Sequence, residues 1–582
     1  MIPQLVLTDD TGSVTDPAEI STKFNNYFSN IAENILSERK YHGNKSYSEF
    51  LTEPLHESIN NNFPPTDENE ICKIISQFKI DKATGPCSIP SKILNLIKFE
   101  ISKPLSLIIN LSFETGIHPD KLKTAQVIPV FKKGSKLLTS NYRPISLLSN
   151  LNKIFEKAMY TRIYNFLNNQ NCFYPLQFGF REKHSTDHAL ISIIDKINEA
   201  LDKKKIACGI FVDFQKPFDT VNHDILLKKL SHYGIRNNVN DWFKSYLHER
   251  KQYVSILGYD SPLSTVYHGV PQGSVLGPLL FLIYINDLNK AIKYSTTYHF
   301  ADDTNMLRIA NSYREIEKQL NIDLKNLYSW LLANKISLNA TKTEILYFKK
   351  PLSPPPPSNL KIKLNGLILK PTNTIKYLGI HIDDTLSGKT HCSELLPKLR
   401  RANGMIAKAR HHLPFQEILS IYYATFSSNL LYGCQTWGQH PNPLINKIET
   451  LQKNAVRLIT FSEFNSHTSP LFKALKILKF KDQITLSNCL LVHDQINDNL
   501  PINFENFFIT TNDLYTKNTK SSKTGKLFMP HVNSVRYGRH SIKHSCILTW
   551  NNMIKQFPNT DFMKIRRNDL KKLITNKYLD SY

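Results

Sequence analysis

No CxxC pair occurs anywhere in this chain. Its eight cysteines (Cys72, Cys87, Cys172, Cys208, Cys392, Cys434, Cys489 and Cys546) are scattered over 582 residues. That removes paired-cysteine metal and redox motifs and favours a reduced, intracellular compartment. His540, His544 and Cys546 stand close together, but without a second cysteine pair they make no zinc signature. A secretory leader is missing too, because MIPQLVLTDDTG has no basic segment followed by an apolar core. The longest apolar run, Val275 to Ile285, falls short of the roughly 20 residues a membrane helix needs. The expected setting is the nucleus, the cytoplasm or both, with no membrane partner. Acidic residues are the next shortage: Lys+Arg 73 against Asp+Glu 49 leaves a net charge of +24. The excess is interleaved with Tyr, Phe and His along the chain, a field that favours polyanions. Hydrophobic residues make up 41%, enough for real cores, and the length leaves room for several domains.

One short stretch organises the rest: His299-Phe300-Ala301-Asp302-Asp303-Thr304. β-prone residues flank it, Thr296-Thr297-Tyr298 before and Met306-Leu307-Arg308-Ile309 after. The pattern predicts two strands joined by a tight turn with two aspartates at the tip. Adjacent carboxylates repel by about 4 kcal/mol at about 4 Å and an effective dielectric near 20, so a hairpin that holds them together usually holds a cation too. Asp-Asp alone is more often a plain surface turn. Its neighbours along the chain change that reading.

In order, Asp16-Pro17-Ala18-Glu19-Ile20 predicts a helix running through Phe24, Tyr27, Phe28, Ile31 and Ile35. Asn60-Asn61-Asn62 and Pro64-Pro65 mark a linker, and a helical block from Glu68 to Phe78 leads to a turn-rich passage at 81–86. Val127 to Gly134 reads as a strand ending in a basic turn, and Asn141 to Ser146 as a second extended piece. Helices are expected at 154–166 and 186–201. Ala207-Cys208-Gly209-Ile210-Phe211-Val212 reads as a buried strand that terminates at Asp213. The strand 253–256 leads to Gly269-Val270-Pro271-Gln272-Gly273-Ser274, followed by a very apolar helix to about Lys293. Beyond the hairpin, Ile316, Leu320, Leu324, Leu327 and Leu331 lie on one helical face, with Trp330 beside them as core. Strands are expected at 344–348 and 374–381, separated by a polyproline loop at 354–357. From Lys389 the pattern is helical and basic, and it stays mostly helical to the C-terminus.

If the strand ending at Asp213 and the Asp302-Asp303 hairpin are neighbours in one sheet, three carboxylates face one point. Hard oxygen ligands suit Mg²⁺, which keeps waters and accepts substrate phosphates. A pair of such ions activates an attacking hydroxyl and stabilises the leaving oxygen of an in-line displacement.

These residues resemble a known family, the reverse transcriptases of non-LTR, LINE-type retrotransposons, in particular the jockey-like elements. The motifs NYRPISLL, QFGFREKHST, VDFQKPFDTVNHDIL, GVPQGSVLGPLLFLIYINDL, FADDT, NKISLNATKTEILYF and KYLGIHID follow in the family's order across roughly 115–385. Weaker likeness continues through YYATFSSNLLYGCQTWG and LQKNAVRLIT. The resemblance implies an α+β right-hand polymerase, with fingers, a palm built on an antiparallel sheet, a thumb, and a mostly helical C-terminal region. The implied division is 1–60 and 61–114 as N-terminal segments, 115–385 as fingers and palm, 386–480 as a basic thumb, and 481–582 as a C-terminal helical region. The implied activity is RNA-directed DNA synthesis, with an RNA template, a DNA primer or target, deoxynucleoside triphosphates, and two Mg²⁺ ions or Mn²⁺ in their place.

By matching position, Asp213 and Asp302 are the main metal ligands, with the Phe214 carbonyl and Asp303 beside them. Phe218 corresponds to the aromatic that stacks under the sugar and excludes a 2′-OH. Gln272 and Gly273 fall on the loop that touches nucleotide and template. Arg143, Lys132 and Lys133 fall on the triphosphate contacts of the fingers, and Lys342 on a lysine that protonates the leaving pyrophosphate. Tyr377, Leu378 and Gly379 resemble the grip on the primer end. Arg400, Arg401 and Lys408, with Lys398 and Arg410, resemble a thumb that tracks a duplex. Full-length relatives carry an upstream endonuclease, and the roughly 110 residues before the polymerase are too few for one. Relatives tend to have Ala at the position of Pro217, whose ring is expected to push Lys216 towards extended geometry. The alternative is a catalytically silent copy that binds RNA. A group II intron maturase ranks lower, since no His/Cys nuclease signature follows.

Overall fold

Local signals set many of the elements. Asp16 caps the helix Pro17–Ser29, its carboxylate accepting the Glu19 N–H at 2.9 Å, and a proline in the first turn has no N–H to leave unpaired. The expected continuation to Ile35 breaks at Asn30, and a separate helix, Ile31–Ser37, follows. The computed structural model describes residues 6–9, 12–37, 45–51, 53–55, 63–439, 442–514 and 525–582. Asn60, Asn61 and Asn62 of the expected linker lie outside them.

Two compact units interleave along the chain. The first comprises Met1–Tyr174, Asp213–Lys293 and Asp323–Ala340. Its sheet runs in the order Tyr142–Leu147, Thr124–Phe131, Arg250–Ile256, Tyr259–Asp260. Thr124–Phe131 is antiparallel to Tyr142–Leu147 and parallel to Arg250–Ile256. Phe24, Phe28 and Ile31 from the N-terminal helices pack with Val127, Tyr142 and Val254 of that sheet. A second cluster joins Ile71, Ile75, Ile109, Ile154 and Phe155 from the helices Glu68–Ser76, Lys98–Thr115 and Asn150–Asn169.

The apolar helix of this unit, Leu276–Ile285, is buried on nearly every side, as an all-round hydrophobic helix must be. It stops at Ile285 instead of reaching Lys293, and a short helix, Leu288–Ala291, follows. Asp287 lies at the break. Lys229 Nζ and Trp330 Nε1 both donate to its carboxylate, and all three side chains are buried. Removing one partner of such a pair costs about 3–5 kcal/mol, so the break is well anchored.

The second unit comprises Pro175–Val212, Tyr294–Ile322 and Thr341–Tyr582. Its antiparallel sheet has the order Glu344–Phe348, Ile206–Val212, Asp303–Ala310, Thr296–Phe300. Ile206–Val212 is central, and its continuous apolar sequence matches residues buried from Ala207 to Val212. One large core then joins this sheet to the helices Thr186–Asp202, Lys389–Ala409, Pro443–Ile459, Phe480–Ile496 and Ile542–Gln556. The stretch 374–381, expected as a single strand, is a hairpin of Thr374–Tyr377 and Ile380–Asp383. Leu378 and Gly379 have φ of 43° and 82°, and two successive positive φ values give the tight turn that reverses a right-twisted strand. The architecture is mixed α and β, with an antiparallel sheet and, from Lys389 onward, a mostly helical C-terminal region, as expected.

Candidate active site

The hairpin predicted around Asp302 is present in the second unit. Phe300 pairs with Asp303, which leaves Ala301 and Asp302 as the turn and makes Asp303 the first residue of its strand. Ala301 takes φ 55°, a left-handed conformation costly for a residue with a side chain. Gln177 compensates: its Oε1 accepts the N–H of Ala301 at 3.0 Å and of Gly179 at 2.9 Å. At the base of the hairpin, His299 Nδ1 lies 2.9 Å from Thr304 Oγ1. Burial pushes that imidazole down to about 3, so it is neutral at physiological pH.

The adjacent strand of that sheet ends one residue before the other candidate aspartate. Val212, the last residue of Ile206–Val212, is the register partner of Thr304. The next residue along the chain is Asp213, one Cα–Cα step of about 3.8 Å further. Asp213 and Asp303 are exposed and Asp302 is half-buried. In the first unit, Phe214 bridges Leu338, flanked by Gln215 N–H to Ser337 O at 2.9 Å and Asn339 N–H to Asp213 O at 2.8 Å. In this antiparallel pattern the N–H and C=O of Phe214 itself point away from the 337–339 segment. Among the described residues no group of three or more His, Cys, Asp or Glu side chains is gathered as a ready metal cage.

The loops that follow Asp213 and precede the apolar helix are tied to each other within the first unit. Gln272 Nε2 donates to Asp219 Oδ1 at 2.7 Å, and Ser146 N–H donates to Gln272 O at 2.7 Å. Gly273 has φ 119°, and a Cβ there would lie 2.6 Å from Ser146 O. Only glycine fits that approach. Burial pushes the Asp219 carboxyl up to about 6. Buried Glu156 accepts from Val275 N at 2.7 Å, Tyr246 Oη at 2.6 Å and Asn152 Nδ2 at 2.9 Å, and burial raises its carboxyl as well. Phe218 is half-buried and stacks on Phe281 with centroids 4.2 Å apart.

Lys216 has φ 41°, which corrects the extended geometry expected before Pro217. Its Nζ reaches Tyr27 Oη at 2.8 Å, and its carbonyl accepts the Asp219 N–H at 3.0 Å. That closed turn outweighs the proline's preference. Arg143 is exposed on Tyr142–Leu147, the strand that also carries Ser146, and Lys132 and Lys133 are exposed just past the paired strand.

The second unit holds the remaining candidates. Lys342 is exposed shortly before Glu344–Phe348. Tyr377 is buried against Phe211, and burial first, then the charge of Asp303, pushes its hydroxyl up. Of that trio only Leu378 and Gly379 form the turn, braced by Tyr432 Oη donating to Leu378 O at 2.7 Å. Lys398, Arg400, Arg401 and Lys408 are exposed on Lys389–Ala409, while Arg410 lies over the Phe461 ring.

Compared with known families, residues 130–382 match the one described as reverse transcriptase (RNA-dependent DNA polymerase). That span is a reverse transcriptase domain. The RNA-directed DNA polymerase from mobile element jockey of Drosophila melanogaster is 28% identical over 452 residues, 76% of this chain and 48% of that protein. The probable RNA-directed DNA polymerase from transposon BS of the same species is 28% identical over 492 residues, 79% of this chain and 52% of its own. The jockey protein of Drosophila funebris is 29% identical over 454 residues, 76% of this chain and 49% of its own. The chain therefore spans about half the length of the curated relatives it matches.

These relatives are the kind that the motif order implied. Within the reverse transcriptase domain the residues that sequence reading missed are the braces: Gln177 and Gly179 behind the hairpin, His299 at its base, and Asp219 and Glu156 behind the Gln272 loop. The first two stand inside QFGF and Asp219 inside PFDT, so the motifs contained them without showing what they touch.

Proposed function

We propose that this chain is an RNA-directed DNA polymerase of a mobile element, extending a DNA 3′-OH along an RNA template. The observation that carries the reading is the strand register of the second unit. Pairing of Val212, one residue before Asp213 in the chain, with Thr304 supports reading Asp213 together with Asp302 and Asp303. Asp213, Asp302, Asp303 and the Phe214 carbonyl would hold divalent ions, for which an all-oxygen donor set suits Mg²⁺, with Mn²⁺ in its place. Carboxylate and carbonyl oxygens of this kind suit an ion that keeps waters and takes further ligands from substrate phosphates. When bound, such ions supply charge neutralisation and activation of the attacking hydroxyl.

The chain's own residues would do the rest. Phe218, fixed on Phe281, would press against the sugar and reject a 2′-OH by contact. Gln272, held by Asp219, and the backbone at Gly273 would seat the incoming nucleotide against its template base. Arg143, with Lys132 and Lys133, would take the triphosphate, and Lys342 would deliver a proton to the departing pyrophosphate. The turn at Leu378 and Gly379 would steady the primer end, and Arg400, Arg401 and Lys408 would follow the duplex backbone. The eight cysteines are free thiols, which suits an intracellular setting.

The test is primer extension on a homopolymer RNA template with matched deoxynucleotide and Mg²⁺. Template-dependent extension that chelation abolishes is expected. RNA binding without any extension, across Mg²⁺ and Mn²⁺ concentrations, would overturn the reading in favour of a silent RNA-binding protein.

A further inference from the structure

Gln177 makes contacts that its place outside the acidic cluster does not explain. Its backbone forms a parallel bridge with His299: Phe178 N–H donates to His299 O at 2.8 Å, and His299 N–H to Leu176 O at 2.9 Å. Its side chain is buried, at 4% exposure, and one carbonyl oxygen accepts both the Ala301 and Gly179 N–H groups. Ala301 is the residue held left-handed immediately before Asp302. Gly179 completes the fit, because a Cβ there would lie 2.3 Å from Ala301 N. So one face of the turn is closed by backbone and by an uncharged acceptor.

From this geometry we infer that Gln177 is a positioning residue for the acidic turn, fixing the Ala301 backbone so that Asp302 and Asp303 are presented at the sheet end. The inference rests on the proposed role of those aspartates as metal ligands. A neutral oxygen satisfies two N–H groups here without adding a third negative charge beside carboxylates that already repel. Groups that orient metal ligands typically cost about 10–100-fold in metal affinity or activity when removed.

The test compares the full chain with Gln177→Leu, which removes the acceptor at similar volume, and Gln177→Glu, which retains one. Three readouts are taken: backbone hydrogen exchange at 301–303, Mn²⁺ affinity by water-proton relaxation, and the Mg²⁺ dependence of primer extension. For Gln177→Leu, exchange at Ala301 is expected to rise and Mn²⁺ affinity to fall by about tenfold. Exchange in Ile206–Val212, RNA binding and KM for deoxynucleotide should stay unchanged. Gln177→Glu keeps an acceptor oxygen and should recover the Ala301 protection, while the negative charge it adds should leave the Mn²⁺ affinity below that of the parent. Unchanged exchange at Ala301 in Gln177→Leu overturns the inference, as does faster exchange with unchanged Mn²⁺ affinity. So does exchange at Ala301 as fast in Gln177→Glu as in Gln177→Leu, the result expected if the residue merely fills a buried space. A parent chain that does not extend a primer counts against the polymerase reading, while the exchange and Mn²⁺ readouts still decide this one.

Discussion

The acidic turn at 300–303 and the loops at 213–219 and 269–275 are braced by different chemistry. Behind the turn stand Gln177, Gly179, His299 and Thr304, and the one titratable member is held neutral by burial. Behind the loops stand two carboxyls, Asp219 under Gln272 and Glu156 under the Val275 N–H, both raised by burial. The difference follows from what each region presents. The turn displays two adjacent acids, and further charge next to them would either repel them or compete with them for a cation. The Gln272 loop displays an amide and a glycine backbone, so charged groups behind it do no such harm. The brace behind the turn should therefore be insensitive to pH around neutrality, and the brace behind the loop should not.

Asp302→Asn should break the comparison most severely, because it removes the charge the neutral brace serves to present. Primer extension should fall by at least about a hundredfold, with RNA affinity nearly unchanged. Activity within about tenfold of the parent would remove Asp302 from the ligand set. On the loop side the largest effect is expected at Pro217. Proline offers no N–H to a triphosphate, and a hydrogen bond to a charged group contributes about 1.5–3 kcal/mol. Pro217→Ala should accordingly lower KM for deoxynucleotides by roughly ten- to a hundredfold. Equal KM values in side-by-side titrations would show that no donor is missing.

A smaller effect is expected at Phe218, which owes its place to the stack on Phe281. Phe218→Val should raise ribonucleotide relative to deoxynucleotide incorporation, because the discrimination is by contact rather than hydrogen bonding. An unchanged ratio would make Phe218 core. The smallest effect sharpens the contrast in pH. Asp219 titrates near 6 in the folded chain against 3.8 unperturbed. Between those values the folded state keeps a proton that the unfolded state has released, so this group's contribution to stability falls as pH rises from about 4 to 6. Asp219→Asn should flatten that part of the chemical-denaturation profile while keeping an acceptor for Gln272. A profile unchanged from the parent would mean that Asp219 is not shifted.

Much of this was legible from residue order. Alternating and continuous apolar runs located the strands at 206–212, 296–300, 303–310 and 344–348, and the stripe from Ile316 to Leu331 is buried throughout. The limits were physical. A two-residue turn costs only Leu378 and Gly379, so hydrophobicity read 374–381 as one strand. The apolar run past Ile285 hid a break because its cause, Asp287, is paired with Lys229 from 58 positions earlier. Lys216 departs from the pre-proline preference through a contact with Tyr27, 189 positions away. Gln177 escaped notice for the same reason: nothing local reveals that its amide closes a turn 124 residues on.

The central claim is that Asp213 and Asp302 serve one metal site, although one follows a strand and the other stands in a turn. Mn²⁺ titration by water-proton relaxation of the parent, Asp213→Asn, Asp302→Asn and the double variant tests it directly. Each single substitution is expected to remove the same high-affinity binding, and the double variant should lose little more than either one. Separate losses that add in the double variant would mean two independent sites, and would contradict the account.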